Sequence, residues 1–384
     1  MSRLLAFSLA VILLAPAASR AEDPKPAAAA ATAAPSPATP AAAPAAPPAP
    51  KWWETIEIHG LVDTYYQASF TQAQDYPNQV RVFDAGNGFQ LAYSKLTAQM
   101  APAPVGFRLD VGYGPVAGIL NGNAPSYSAA YQSASKPYSQ VTVQQAFASA
   151  KFGEVVFDLG RFNTPIGAEV IEAKDNWLYS RSILFGWAIP FTHTGVRATI
   201  GLPVEGLSVV AGLVNGWDNP PGPVGAPKTG LLSLVYNGPS STLLAVNASY
   251  GGQPGLTENQ GLIDVVLQRA FGDFALNLNG DFGWLGSVGQ WYGVSLMARY
   301  SFLGDKLRVT ARGEWFRDPD GVRTGVVNGT FFEATGGVSV PIASNFEARA
   351  ELRYDNCSQD IFAGDAGFPK NHNFTGTIAA LAWF

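Results

Sequence analysis

One cysteine, Cys357, occurs in the 384-residue chain, so a disulfide framework is excluded. Histidine is nearly as scarce. His59, His193 and His372 lie far apart, with no HExxH and no Cys/His cluster of metal-ligand spacing. Charged residues make up 14% of the chain, where about 25% is ordinary. The net charge of −5 leaves no basic footprint for nucleic acid. Beyond Lys51 no run of 18 apolar residues occurs, so no spanning helix is expected there. Neither a GxSxG elbow nor a phosphate-binding glycine loop of Walker type is present.

Glycine and aromatic residues are plentiful instead: 41 glycines, and 12% aromatic residues, at a mean hydropathy of +0.07. Such a chain is not disordered throughout. It is wetter than a helical membrane protein and too poor in charge for an ordinary soluble surface.

The first 21 residues read as a secretory signal peptide. Arg3 gives a basic start, Leu4 to Ala15 is apolar, and Ser19-Arg20-Ala21 is a small-x-small cleavage site. Its removal leaves 22 basic against 29 acidic residues, a net of −7. Residues 22–51 form a linker rich in alanine and proline, with nine prolines between Glu22 and Pro50. Proline blocks continuous helix and no core can be built from such a segment. It reads as an extended periplasmic tether, reaching roughly 90 Å at most at ~3.1 Å per residue. Contact with the cell wall is one use for it, and a plain disordered tail is the alternative.

From 52 to 384 the hydrophobic period is two, not 3.6. Phe346, Ala348, Ala350, Leu352 and Tyr354 alternate with Glu347, Arg349, Glu351, Arg353 and Asp355. The last segment does the same, with Phe374, Gly376, Ile378, Ala380, Ala382 and Phe384 on one face. A soluble sandwich would also alternate. The segments here run about 10–14 residues, against a usual strand of 5–6 and the roughly 9–11 needed to cross hydrocarbon at a tilt. Aromatic residues near strand ends suggest membrane girdles: Tyr65, Tyr66, Phe70, Trp284, Trp291, Tyr292, Trp315, Tyr354 and Trp383. Sixteen candidate strands are joined by links that alternate between short and long, as expected for periplasmic turns and outer loops. Two outer links, 251–260 and 285–289, are modest, so fourteen or twelve strands remain open. The fold expected is all-β, a transmembrane antiparallel β-barrel of about 16 strands in the bacterial outer membrane. A ring of sixteen strands is wide enough for an aqueous channel.

The passage Lys151-Phe152-Gly153-Glu154 through Asp158-Leu159-Gly160-Arg161-Phe162-Asn163-Thr164-Pro165-Ile166-Gly167 to Glu169 continues into Asn176-Trp177-Leu178-Tyr179-Ser180-Arg181-Ser182. Then come Pro190, His193-Thr194-Gly195-Val196 and Asn215-Gly216-Trp217-Asp218. This stretch resembles the β-barrel porins of the OmpL-like type in Gram-negative bacteria, most clearly over residues 150–220. The resemblance implies an outer-membrane pore and assigns no binding residue.

The function expected is passive diffusion of small hydrophilic solutes or ions, with no cofactor. In porins generally the third long loop, here 163–192, folds into the lumen and narrows it. Glu169, Glu172, Asp175 and Arg181 are its candidate constriction residues. Arg299, Arg308, Arg312, Arg349 and Arg353 on late strands are candidates for an opposing basic wall, since rings of charge are a selectivity device. Alternatively the acids sit on a solvated loop and the arginines pair locally with Glu314, Glu347 and Glu351. Trp177, Tyr179, Trp187 and Trp217 could stack on sugars or simply pack the loop. Other sixteen-stranded porins suggest a homotrimer. A closed barrel that anchors or adheres is the competing class. An outer-membrane enzyme, using His193 near Ser180 and Ser182 or His59 with Asp63, is the third. Asp318-Pro319-Asp320-Gly321 resembles a calcium-loop fragment without its closing Glu, and a loop turn explains it as well.

Overall fold

A computed structural model of the chain describes residues 51–71, 78, 80–123, 140–218, 225, 227–364 and 368–384. The signal peptide and the linker up to Pro50 lie outside the described residues. Lys51 precedes a single 3-10 turn, Trp52–Thr55.

Sixteen long strands follow. The first eight are β1 (Glu57–Ser69), β2 (Gly88–Met100), β3 (Val105–Gly114), β4 (Gln140–Phe152), β5 (Val155–Asn163), β6 (Thr192–Gly201), β7 (Leu207–Val214) and β8 (Thr229–Gly238). The next seven are β9 (Thr242–Gly252), β10 (Asn259–Phe271), β11 (Phe274–Leu285), β12 (Gly289–Phe302), β13 (Leu307–Asp318), β14 (Gly329–Ala343) and β15 (Phe346–Cys357). A two-residue hairpin, β16 (Phe362–Ala363) with β17 (Pro369–Lys370), sits apart from the wall, and β18 (His372–Trp383) completes it. Each wall strand pairs antiparallel with its neighbour, and β1 closes on β18 from Leu61↔Trp383 to Ser69↔Thr375. Lipid offers no hydrogen-bond partner to an open strand edge, so closure satisfies every ladder. The modest links at 253–258 and 286–288 are true outer links, and the count of sixteen stands.

Burial runs opposite to that of a soluble protein. On β15, Glu347, Arg349, Glu351, Arg353 and Asp355 are buried, while Leu352 is 54% exposed. On β11, Asn277, Asn279 and Asp281 point inward and Leu278 and Phe282 point to the lipid side. Near the outer rim a belt of rings runs along the lipid face through Tyr250, Trp284, Phe282, Tyr292 and Trp315, with neighbouring centroids 5.6–6.3 Å apart. Three residues expected in the girdles belong to the interior instead. Tyr65, Trp291 and Trp383 fall on the inward parity of β1, β12 and β18. Tyr65 and Trp291 are buried there. An aromatic ring suits either face, and one position along a strand reverses its side.

The short connections gather at one rim and the long ones at the other. From the long-link rim several described segments turn inward, among them parts of the first and third links. The link 164–191 between β5 and β6 enters the lumen and is called loop 3 below. Val80, Val82 and Phe83 of the first link join Ile166, Ile183, Phe185 and Phe191 of loop 3 in one apolar cluster, with Trp291, Phe316 and Phe331 of the wall.

The lipid-facing assignment carries a prediction. Leu278→Arg, near the middle of β11, should lower the unfolding free energy in liposomes by about 2–4 kcal/mol. Val288→Arg, in an outer link, should cost almost nothing. Equal costs in a urea titration would reject the membrane register.

Candidate functional site

Loop 3 is a buried segment with little regular structure. It contains one 3-10 turn, Ala173–Asp175, and one wide helical turn, Leu184–Ala188. Its peptide groups therefore need partners from elsewhere, because an unpaired buried N–H or C=O costs about as much as a lost hydrogen bond. Irregular backbone at membrane depth persists only where it is buried in protein or lines a cavity.

The wall supplies those partners, mostly from charged side chains on the inward positions of the strands. Glu351 accepts the N–H groups of Tyr179 and, at 3.1 Å, Ser180. Glu314 accepts those of Ile183 and Leu184 at 2.6 and 2.7 Å. Asp264 accepts the N–H of Gly167 at 3.2 Å. Arginines serve the carbonyls. Arg349 donates to Ala173 and Leu178 at 2.8 and 2.9 Å, and Arg353 to Arg181 at 2.6 Å. Arg312 donates to the Ser180 carbonyl at 2.8 Å. Trp291 Nε1 donates to the Ala188 carbonyl at 3.1 Å, and Arg323 to Trp187 at 2.6 Å.

The candidate acids of the loop each have a cation in contact. Glu169 meets Arg312 at 3.0 Å, and Arg312 also holds Glu333 at 2.9 Å. Glu172 pairs with Lys95 of β2 and accepts from Gln144 of β4 at 2.9 Å. Asp175 pairs with its neighbour Lys174 at 2.8 Å. Arg181 turns back on its own loop, donating to the carbonyls of Ile171 and, at 2.9 Å, Tyr179. Its guanidinium lies 5.4 Å from the Phe83 ring centroid. Arg308 joins Asp305 and Glu347, and Arg349 also binds Glu347. Arg353 binds Asp355. Arg299 lies 4.5 Å from the Trp177 ring centroid.

This differs from an acidic loop opposed to a basic wall across open water. Only Glu169 meets one of the candidate arginines, and it does so in direct contact. Arg308, Arg349 and Arg353 are drawn off by loop carbonyls or by nearby carboxylates, and Arg299 lies over the Trp177 ring. Local pairing accounts for Glu347, whereas Glu314 and Glu351 cap loop N–H groups. Asp63, Lys95, Glu314, Glu351 and Asp264 were missed as loop partners. Their inward parity on strands is the one signal that could have found them.

The ends of loop 3 are tied as well. Asp218 accepts from Phe191 and Thr192 at 2.5 and 2.9 Å. Burial pushes its carboxyl up to about 6 despite those bonds and the nearby Arg323 and Arg161. His193 lies between the Gly216 carbonyl at 3.2 Å and Thr164 Oγ1 at 3.1 Å. Ser180 Oγ is 3.2 Å from Arg312 and not beside an imidazole, and His59 lies near Glu57. Asp318 accepts the N–H groups of Val322, Arg323 and Thr324, which makes its segment a turn. Cys357 is the buried last residue of β15.

Two spaces among the described residues lie beside loop 3. One, of about 930 Å³ with its solvent-open part, lies between residues 165–177 and the wall of β7 to β12. The other, of about 630 Å³ counted the same way, lies toward β3 to β6 and carries Arg108 and Arg197. Pro165, Glu169 and Val170 border both.

A closed sixteen-stranded barrel, apolar outside and entered from one rim by its third long link, defines an outer-membrane channel of the porin class. The family model described as "Putative beta-barrel porin-2, OmpL-like" matches residues 55–384, and the chain belongs to that family. It is an outer-membrane β-barrel channel for passive diffusion of solutes. Solved structures share the fold at low identity. The outer membrane channel DcaP of Acinetobacter baumannii is 11% identical, with a TM-score of 0.58 over 86% of this chain and 97% of that one. The anion-selective porin from Comamonas acidovorans is 12% identical, with a TM-score of 0.55 over 86% and 99%. OmpT of Vibrio cholerae, in its trimer form, is 13% identical, with a TM-score of 0.56 over 86% and 99%. Among curated proteins, none matches this chain.

Two predictions test how loop 3 is held. Gly337 of β14 faces Leu178, and an added Cβ would lie 2.7 Å from Leu178 Cδ2, whereas one at Gly336 would meet nothing within 4 Å. Gly337→Leu should displace the loop and change single-channel conductance, and Gly336→Leu should not. Identical traces for the two would show that the loop does not press on β14. The second concerns pH. Burial alone would raise the Glu172 carboxyl, but the Lys95 ammonium and the Gln144 amide outweigh it and hold it at about 2, against an ordinary 4.5. A depressed carboxyl stabilises the docked loop above about pH 4.5, and the contribution is lost as pH falls toward 2. Conductance should therefore shift over that window, and the shift should vanish in Glu172→Gln.

Proposed function

We propose that loop 3 is the constriction of the channel, and that solutes pass beside it rather than through its centre. The observation that carries this reading is the attachment of the loop to both sides of the barrel. Lys95 and Gln144 hold it from one side, and Glu314, Arg349 and Glu351 from the other. A segment bonded in this way narrows the lumen at a fixed place. The two solvent-open spaces on its flanks support an open channel over a closed, anchoring barrel. Glu169, Glu172, Asp175, Arg181, Arg299, Arg312, Arg349 and Arg353 act here chiefly by setting the position of the loop, and Arg308 acts at one remove through Glu347. Small hydrophilic solutes and ions are the cargo.

The trimer form of the Vibrio cholerae protein supports a homotrimer for this chain also. An even number of strands puts Glu57 of β1 and Trp383 of β18 at the short-link rim, which supports a periplasmic place for the Pro/Ala segment 22–51. There it can reach the cell wall.

Deletion of 168–186 removes most of the constriction. Planar bilayers should show conductance raised several-fold, with the current noisier than that of the intact chain. Unchanged current would overturn the constriction role.

A further inference from the structure

Arg299, Arg308, Arg312, Arg349 and Arg353 occupy inward positions of β12, β13 and β15. All but the first hold carboxylates. Arg308 bridges Asp305 and Glu347, Arg349 binds Glu347, Arg312 holds Glu169 and Glu333, and Arg353 binds Asp355. Arg299 makes no hydrogen bond or ion pair with a described residue. It meets the Trp177 ring instead, its guanidinium 4.5 Å from the centroid. A ring attracts the charge but supplies no acceptor oxygen, so the N–H donors of the head are left for water or a guest. Those donors are open to water. Arg81, Arg161, Arg181 and Arg353 each have a guanidinium nitrogen sealed from both water and partners, and the half-buried Arg299 has none.

The charges acting on Arg299 are those of Arg308, Arg349, Asp305 and Glu347. Those cations and carboxylates cancel, and Arg299 adds a positive charge in excess. Its place lies on the path of a solute. β12 ends at Phe302 on the short-link rim, and Arg299 is one inward position nearer that rim than Met297. Met297 and Trp177 border the larger of the two spaces. They pack with Ala275, the partner of Arg299 across the ladder. An apolar cluster beside the guanidinium lowers the local dielectric and strengthens any bond to an anion. Elsewhere this space is without open charge. β7, β8 and β9 carry no ionisable residue at an inward position, and the bordering Glu169 and Asp175 are paired with Arg312 and Lys174.

We propose that Arg299, set against Trp177 of loop 3, is a binding point for small organic carboxylates crossing the channel. The proposal rests on the reading that solutes pass beside loop 3. The planar guanidinium fork matches a carboxylate and donates to both of its oxygens. A solute leaving the larger space toward the short-link rim thus meets one open cation after a neutral wall.

Titration calorimetry on the refolded full chain tests the site, with sodium propionate and its uncharged isostere propionamide. Propionate should bind saturably and propionamide should not. Arg299→Gln should weaken propionate by about tenfold or more, the effect of losing a hydrogen bond to a charged group. Arg299→Lys keeps the charge without the fork and should weaken it by less. Arg269→Gln removes the same charge from the lipid side of β10 and should leave binding unchanged. Each variant is checked for the compact gel mobility of a folded barrel. Absence of saturable propionate binding would overturn the site. So would equal binding of propionamide, or full propionate affinity in folded Arg299→Gln. Single-channel recording in sodium chloride separates the two readings. Current without propionate binding removes the site alone, and propionate binding without current removes the channel reading alone.

Discussion

The structure depends on one requirement: loop 3 brings a stretch of irregular backbone into a barrel, and every peptide group there must find a partner. A helix or strand would answer that need from within. This segment answers it from the wall, through carboxylates that accept N–H groups and guanidinium groups that donate to carbonyls. Such bonds to charged groups are worth about 1.5–3 kcal/mol each, more than neutral ones. They also offset the cost of placing ions away from water. The low charge content of the chain is thus concentrated on the strands that face loop 3, with β7 to β9 left neutral.

Much of this was legible in the sequence, and its limits are physical. The sixteen strands were readable because two faces in different solvents impose a period of two, and glycine- and proline-bearing turns break it at regular places. Lys151 to Asn163 shows both features, with the Gly153 turn between β4 and β5. Inward entry of loop 3 was readable from its place as the third long link, which folds into the lumen in porins generally. Parity gives a residue its face but not its height in the barrel or its neighbour across the lumen. Parity puts Arg353 on the inward face, yet only the stagger of the strands brings it to the Arg181 carbonyl. The same gap explains Tyr65 and Trp291, where the residue type suggested a membrane rim and the parity put them indoors.

The aromatic residues of loop 3 follow the same logic. Tyr179 donates its hydroxyl to Asp63 at 2.8 Å, and Trp187 donates to the Val80 carbonyl at 2.9 Å. Trp217 packs under Arg323. Each is used to seat a loop. Of the four aromatic candidates for sugar contact, Trp177 alone borders the larger open space.

The partners of loop 3 lie far along the chain, as far as 176 positions in the bond from Arg349 to Ala173. Asp63, Lys95 and Gln144 precede the loop in the chain, but the strands that meet most of its peptide groups, β13 and β15, follow it. Those peptide groups find their partners only when β13 to β15 stand in register in the sheet. Seating of the loop therefore requires a completed ring. A barrel built with a strand missing or slipped by one residue would present the wrong face to the loop and leave it hanging in the lumen. The segment that enters the lumen thereby doubles as an inspector of assembly.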